Sequence, residues 1–314
     1  MSEEFEQHTP QPAPADEPCA HPLAVPRPTR SPVLFGPDGL RPGWRFLCYM
    51  GMVVGIAMLL NFIGPHLIHH KLAQTWSELL GEGVGMFVAF IPALVMARVE
   101  KRPFGAYGLP AQTAFGKNFW SGILWGFAAI SILLLAIHSA GDFSITGLAL
   151  HGARVLKFGI FWGIVFLCVG FFEEFLTRGY TQFTLTQGMG FWPAALLLSL
   201  AFGALHLGNP GENRVGIVAV VMIALFFCLT LRRTGTLWFA VGFHAAFDWG
   251  ESYFYSVPDS GSLSPGHLLN STFHGSPWIT GGSDGPEGSV LVLLLIALLG
   301  LAFHRVYPRV QYRS

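Results

Sequence analysis

Residues 158–178 read FGIFWGIVFLCVGFFEEFLTR. An unbroken run of apolar residues and glycines from Phe158 to Phe172 leads into Glu173-Glu174, and Arg178 follows four residues after the second carboxylate. Such a run suits a membrane-crossing helix. An ionisable side chain at that depth costs several kcal/mol unless it is paired or faces an internal cavity, so it marks a functional candidate. Two more signatures of this kind follow, Phe202-x-x-x-His206 and His244-x-x-x-Asp248, both inside apolar sequence. Two glutamates, an arginine, two histidines and an aspartate on three nearby segments point to a catalytic centre.

The rest of the chain has the same character. Of 314 residues, 52% are hydrophobic and 11% charged, against about 25% charged in a typical soluble domain. The net charge is zero, which gives no electrostatic footprint for nucleic acid. The four cysteines are scattered without a CxxC pair, as packing thiols are. Eight apolar runs are candidate spans: Phe46–Gly64, Leu79–Ala97, Phe119–Ile137, Phe158–Leu176, Phe191–Leu207, Val215–Leu231, Thr236–Trp249 and Val290–Phe303. The expected class is therefore all-α, a polytopic membrane protein of about eight transmembrane helices. Thr236–Trp249 and Val290–Phe303 are short, and a short half-polar span belongs among other helices rather than against lipid.

With both ends in the cytosol, thirteen Lys and Arg fall on the cytosolic side and four (Lys71, Arg154, Lys157, Arg214) on the other, as the positive-inside rule requires. The layout divides the chain into a disordered Pro- and acid-rich tail (1–45), N-terminal spans (46–150), a catalytic core (155–250), a flexible Gly/Ser/Pro-rich external loop (251–289), and a last span with a basic tail (290–314). Integral membrane location, in the cell membrane, follows.

Helix geometry separates the two glutamates. Glu174 and Arg178, four apart, share a face and can pair. Glu173 points about 100° away without that partner, which suits a general base, with Glu174–Arg178 as its brace. Counting through the Gly-rich link at Gln187–Gly190, Glu173 lies 16 residues before Met189 and His206 lies 17 after it. In an antiparallel hairpin this sets both at one depth, about 25 Å along each helix and toward the outer half. Phe202, one turn before His206, suits a pocket wall. His244 and Asp248 also share a face: Asp248 either orients the His244 tautomer or, if protonated, helps to stabilise an oxyanion. A metal reading is compatible, with zinc held by Glu173, His206 and His244, although no H-E-x-x-H run demands it.

The order E-E-x-x-x-R, F-x-x-x-H, H-x-x-x-D on successive membrane helices resembles the CPBP family, which comprises the type II CAAX prenyl endopeptidases and the bacteriocin-processing and self-immunity (Abi) proteins. Leu231–Trp238 (LRRTGTLW), Phe243–Ala246 (FHAA) and His206–Pro210 (HLGNP) carry the same likeness. The resemblance covers about residues 155–250. It implies an all-helical intramembrane protease, glutamic or metallo in type, that cuts a membrane-associated protein or peptide. It also implies roles: Glu173 activates water, His206 positions it or assists proton transfer, and His244 with the last-motif residue stabilises the oxyanion. In the prenyl endopeptidases that last residue is usually Asn, and here it is Asp248. The competing expectations are a catalytically inactive immunity or scaffold protein of the same fold, and a proton-coupled carrier. The carrier would show inverted repeats, and the sequence has none.

Overall fold

A computed structural model describes residues 33–36, 39–67, 73–209 and 211–312. Most of the tail expected to be disordered lies outside these residues. Its last part is ordered: β1 (Phe35–Gly36) and β2 (Gly39–Leu40) form a small hairpin, and α1 begins at Pro42 (Pro42–Leu67). There follow α2 (Gln74–Glu100), α3 (Lys117–Ser139), β3 (Phe143–Leu148), α4 (Ala153–Arg178), α5 (Tyr180–Met189) and α6 (Phe191–His206). The chain is completed by α7 (Arg214–Thr234), α8 (Trp238–Trp249), β4 (Leu269–Phe273), α9 (Pro277–Thr280) and α10 (Val290–Val306).

All eight expected spans are helices. Among the described residues, five stretches are long and apolar enough to cross a membrane, α4 and α5 counting as one; α6 and α10 are shorter apolar helices. Large apolar side chains lie exposed along α1 (Met58, Leu59, Phe62), α3 (Trp120, Leu124, Leu135) and α6 (Leu196, Leu197, Leu200). Acyl chains suit such surfaces and water does not. The protein is an all-α integral membrane protein.

The helix ends follow local chemistry. Asn213 caps α7, accepting from the Val215 and Gly216 amides at 2.8 and 3.1 Å, and Gly235 ends it at φ 73°. Ser289 caps α10. Glu100, at the end of α2, gathers Arg45 of α1, Tyr180 of α5 and Tyr107 at the base of the molecule. Arg45, one of the thirteen basic residues assigned to the cytosolic side, is therefore a buried partner of Glu100.

Two expectations are corrected. The helix carrying the glutamates does not run straight to Met189: it breaks at Gly179 (ψ −112°), where a Cβ would lie 2.4 Å from the Phe175 carbonyl oxygen. The depth count through that link fails with it. The expected flexible loop 251–289 is structured. The helix of α8 continues as a π-helical turn, Gly250–Tyr255, and β4 pairs antiparallel with β3, a strand that the sequence reading lacked.

α8 is only 12 residues long, but it is inserted between α3 and α4 at van der Waals distance. Gly122 and Gly126 of α3 face the Phe239 and Phe243 carbonyl oxygens, each 2.2 Å from where a Cβ would sit. Gly242 of α8 faces the Phe119 carbonyl in the same way at 2.3 Å, and Gly170 of α4 meets the Val241 carbonyl at 3.0 Å. Small residues four apart allow backbones to approach this closely, and in lipid close packing takes the place of hydrophobic burial as the adhesive.

Candidate active site

The site is assembled where the last turns of α4 meet α8. Glu174 is fully buried. Its Oε1 accepts from Arg178 Nη1 at 2.7 Å and from His244 Nδ1 at 2.9 Å. The guanidinium lies between the Phe202 and Phe227 rings, 5.1 and 5.3 Å from their centroids, and its Nε donates to the Ala224 carbonyl at 3.3 Å. Ala224 is ten residues into α7, so this knot sits about 15 Å from that helix's loop end.

Glu173, on the adjacent face, takes no part in the knot. Its carboxylate is partly exposed to a cavity, with Oε2 3.6 Å from His244 Nε2. Asp248 Oδ2 approaches the same nitrogen at 3.4 Å. His244 thus gives its Nδ1 proton to Glu174 and turns Nε2 toward Glu173 and Asp248. The tautomer is set by Glu174, not by Asp248 as one expectation had it. Phe227 stacks on the imidazole, with 5.8 Å between centroids.

His206 ends α6. Its Nδ1 donates to the Phe202 carbonyl at 2.9 Å and its ring packs edge-on against Phe202, so in the neutral ring Nε2 carries the lone pair. Glu173, His206, His244, Asp248 and Phe202 all line one cavity of about 460 Å³. Among the described residues no hydrogen bond joins His206 to Glu173 or His244. The cavity wall opposite α4 and α8 is aliphatic, from Val220 and Ile223 of α7 and Val292, Leu295, Ile296 and Leu299 of α10. Glu78 and Glu82 of α2 also face it; the only sequence signal for Glu82 is that it is a carboxylate inside an apolar run.

Asp259 and Glu287 of the 250–289 segment also line the cavity. Two further acids, Glu212 and Asp284, lie near Glu287. Burial, then the nearby Asp284 and Glu287, pushes the Glu212 carboxyl up to about 8. Burial and Glu287 raise Asp284 to about 6. Sequence reading missed these groups because the segment looked like unstructured linker.

Glu173 and His244 come within reach of a shared ion, but His206 does not join them. Among the described residues, three ligand atoms converge only at Asp248, Glu251 and Asp259, all oxygens. The ligand atoms of Glu173, His206 and His244, the set compatible with zinc, are not gathered at one point in this structure.

Residues 154–250 match a known family, described as type II CAAX prenyl endopeptidase Rce1-like. The match begins at α4 and ends just after α8, so it holds Glu173, Glu174, Arg178, His206, His244 and Asp248 together. The family is one of proteases. No curated protein matches the chain.

Proposed function

We propose that the protein is an intramembrane endopeptidase that hydrolyses a peptide bond in a membrane-associated protein or peptide. One observation carries this reading: of two adjacent glutamates, the buried Glu174 is tied to both Arg178 and His244, while the partly exposed Glu173 is left facing a cavity that two histidines also line. A scaffold needs the first glutamate and has no use for the second.

In this reading Glu173 takes a proton from water as the water attacks the peptide carbonyl. His206, with its lone pair on Nε2, orients that water and relays the proton to the leaving amine. The carbonyl oxygen becomes an oxyanion, and His244 donates to it from a protonated Nε2, held in place by Glu174 through Nδ1. Asp248 flanks that nitrogen as counter-charge, so the oxyanion role through a protonated Asp248 is not needed. The aliphatic wall of α7 and α10 takes the apolar part of the substrate, which the Rce1-like match makes a candidate prenyl or acyl chain. By the positive-inside rule the chain ends face the cytosol. The test is cleavage of a lipidated reporter peptide by purified protein in liposomes. Glu173→Gln should abolish cleavage with folding intact, and equal turnover by that variant and the parent would overturn the proposal.

A further inference from the structure

Beyond the histidines, the helical line of α8 carries a second group of side chains. Asp248 ends the helix, Glu251 follows on the π-helical turn, and Asp259 reaches back from the next loop. One carboxylate oxygen from each lies within 4.8 Å of the other two. Glu251 is fully buried, and neither of its oxygens accepts a hydrogen bond from any described residue. No Lys or Arg occurs between residues 250 and 289, and among the described residues none pairs with these three. An unpaired buried carboxylate is costly, and this one is aimed at two more.

Asp259 takes one hydrogen bond, from Ser252 Oγ at 3.1 Å, which leaves its other oxygen free of that donor. What relieves three converging carboxylates is a positive charge with room for oxygen ligands. The set has no nitrogen or sulfur, which selects a hard ion over zinc or copper. Metal–oxygen distances near 2.4 Å allow ligand oxygens up to about 4.8 Å apart across one ion, and the three oxygens lie within that span.

We propose that Asp248, Glu251 and Asp259 form a site for a hard divalent cation, calcium or magnesium, beside the cavity that Asp248 and Asp259 line. The ion ties the end of α8 to the 256–268 loop. Because Asp248 also faces His244, the site adjoins the proposed catalytic group, but its existence does not depend on hydrolysis.

The test is thermal unfolding of the full-length protein in detergent after EDTA treatment, titrated with calcium chloride or magnesium chloride alone. The parent should show a saturable rise of about 5 °C with at least one of the two ions. Glu251→Gln and Asp259→Asn should each abolish that rise. Without the ion, Glu251→Gln should be no less stable than the parent, since it removes a buried carboxyl group that no described residue partners; a carboxylate with a merely structural hydrogen-bonding role would lose stability in both conditions. No rise in the parent with either ion overturns the proposal, as does a rise that persists in either variant. Because the readout is unfolding, its failure is distinct from a failure of the peptidase assay.

Discussion

Replacing Glu174 by Gln tests the central knot. The parent carboxylate is inaccessible and satisfies two donors through one oxygen, Arg178 Nη1 and His244 Nδ1. The amide keeps the volume and an acceptor, but removes the charge opposite a guanidinium that is only 2% exposed. Breaking a buried pair from one side costs about 3–5 kcal/mol, which corresponds to a fall of roughly 10 °C in Tm. Glu173→Gln is the matched control. Its carboxylate makes no hydrogen bond among the described residues and borders the cavity, so its stability change should stay within about 0.5 kcal/mol. Both variants should lose turnover, for different reasons. The double change Glu174→Gln with Arg178→Met should regain most of the lost stability, since a buried pair exchanged for apolar volume is often neutral, yet stay inactive because His244 lacks its charged anchor. Unfolding in detergent and peptide cleavage in liposomes read the two effects separately. If Glu174→Gln unfolds at the same temperature as Glu173→Gln, the knot does not carry the load assigned to it.

Three further outcomes are expected. His206→Ala and His244→Ala should each slow turnover about 100-fold or more, and the double variant should lose less than the product if both serve one transition state; multiplicative losses in single-turnover kinetics would place one of them outside the site. Gly126→Ala pushes a methyl onto the Phe243 carbonyl and should cost about 1–3 kcal/mol together with activity, whereas Gly300→Ala, which meets nothing within 4 Å, should be silent in both assays. With Glu212 raised to about 8 and Asp284 to about 6, the native state holds protons more tightly than the unfolded chain. Stability from this pair is then fully present below the unfolded carboxylate range and lost as pH rises toward 8. Unfolding in EDTA across that window should show the decline, Glu212→Gln should flatten it, and an unchanged slope would refute the assignment.

Most of the helical framework was legible because apolar runs of membrane length leave few alternatives. The pairs four apart, Glu174–Arg178 and His244–Asp248, could be read for the same reason: a helix places them on one face whatever surrounds it. What joins distant segments was not legible. The Glu174–His244 hydrogen bond spans 70 residues and depends on how deeply α8 is inserted, which the glycines of α3 decide through contacts that no linear pattern displays. The break at Gly179 escaped because glycine is common in membrane helices and only its dihedral angles distinguish a kink. Glu251, Asp259, Asp284 and Glu287 lie in sequence whose Gly, Ser and Pro content resembles linker; their convergence depends on β3 pairing with β4 and on the turn that prolongs α8.

The two sides of the cavity differ in how they can change. On one side, α3, α4 and α8 touch main chain to main chain through glycine, so nothing there yields without displacing the helix that carries His244. On the other, Val220 and Ile223 of α7 and Val292, Leu295, Ile296 and Leu299 of α10 present branched side chains that exchange for one another at modest cost. Chemistry is thus assigned to a wall that tolerates almost no variation, and fit to a wall that tolerates a great deal. Preference for the size and shape of an apolar substrate group can drift, or be redesigned, at Val220, Ile223, Leu295 and Leu299 while the reacting groups keep their places.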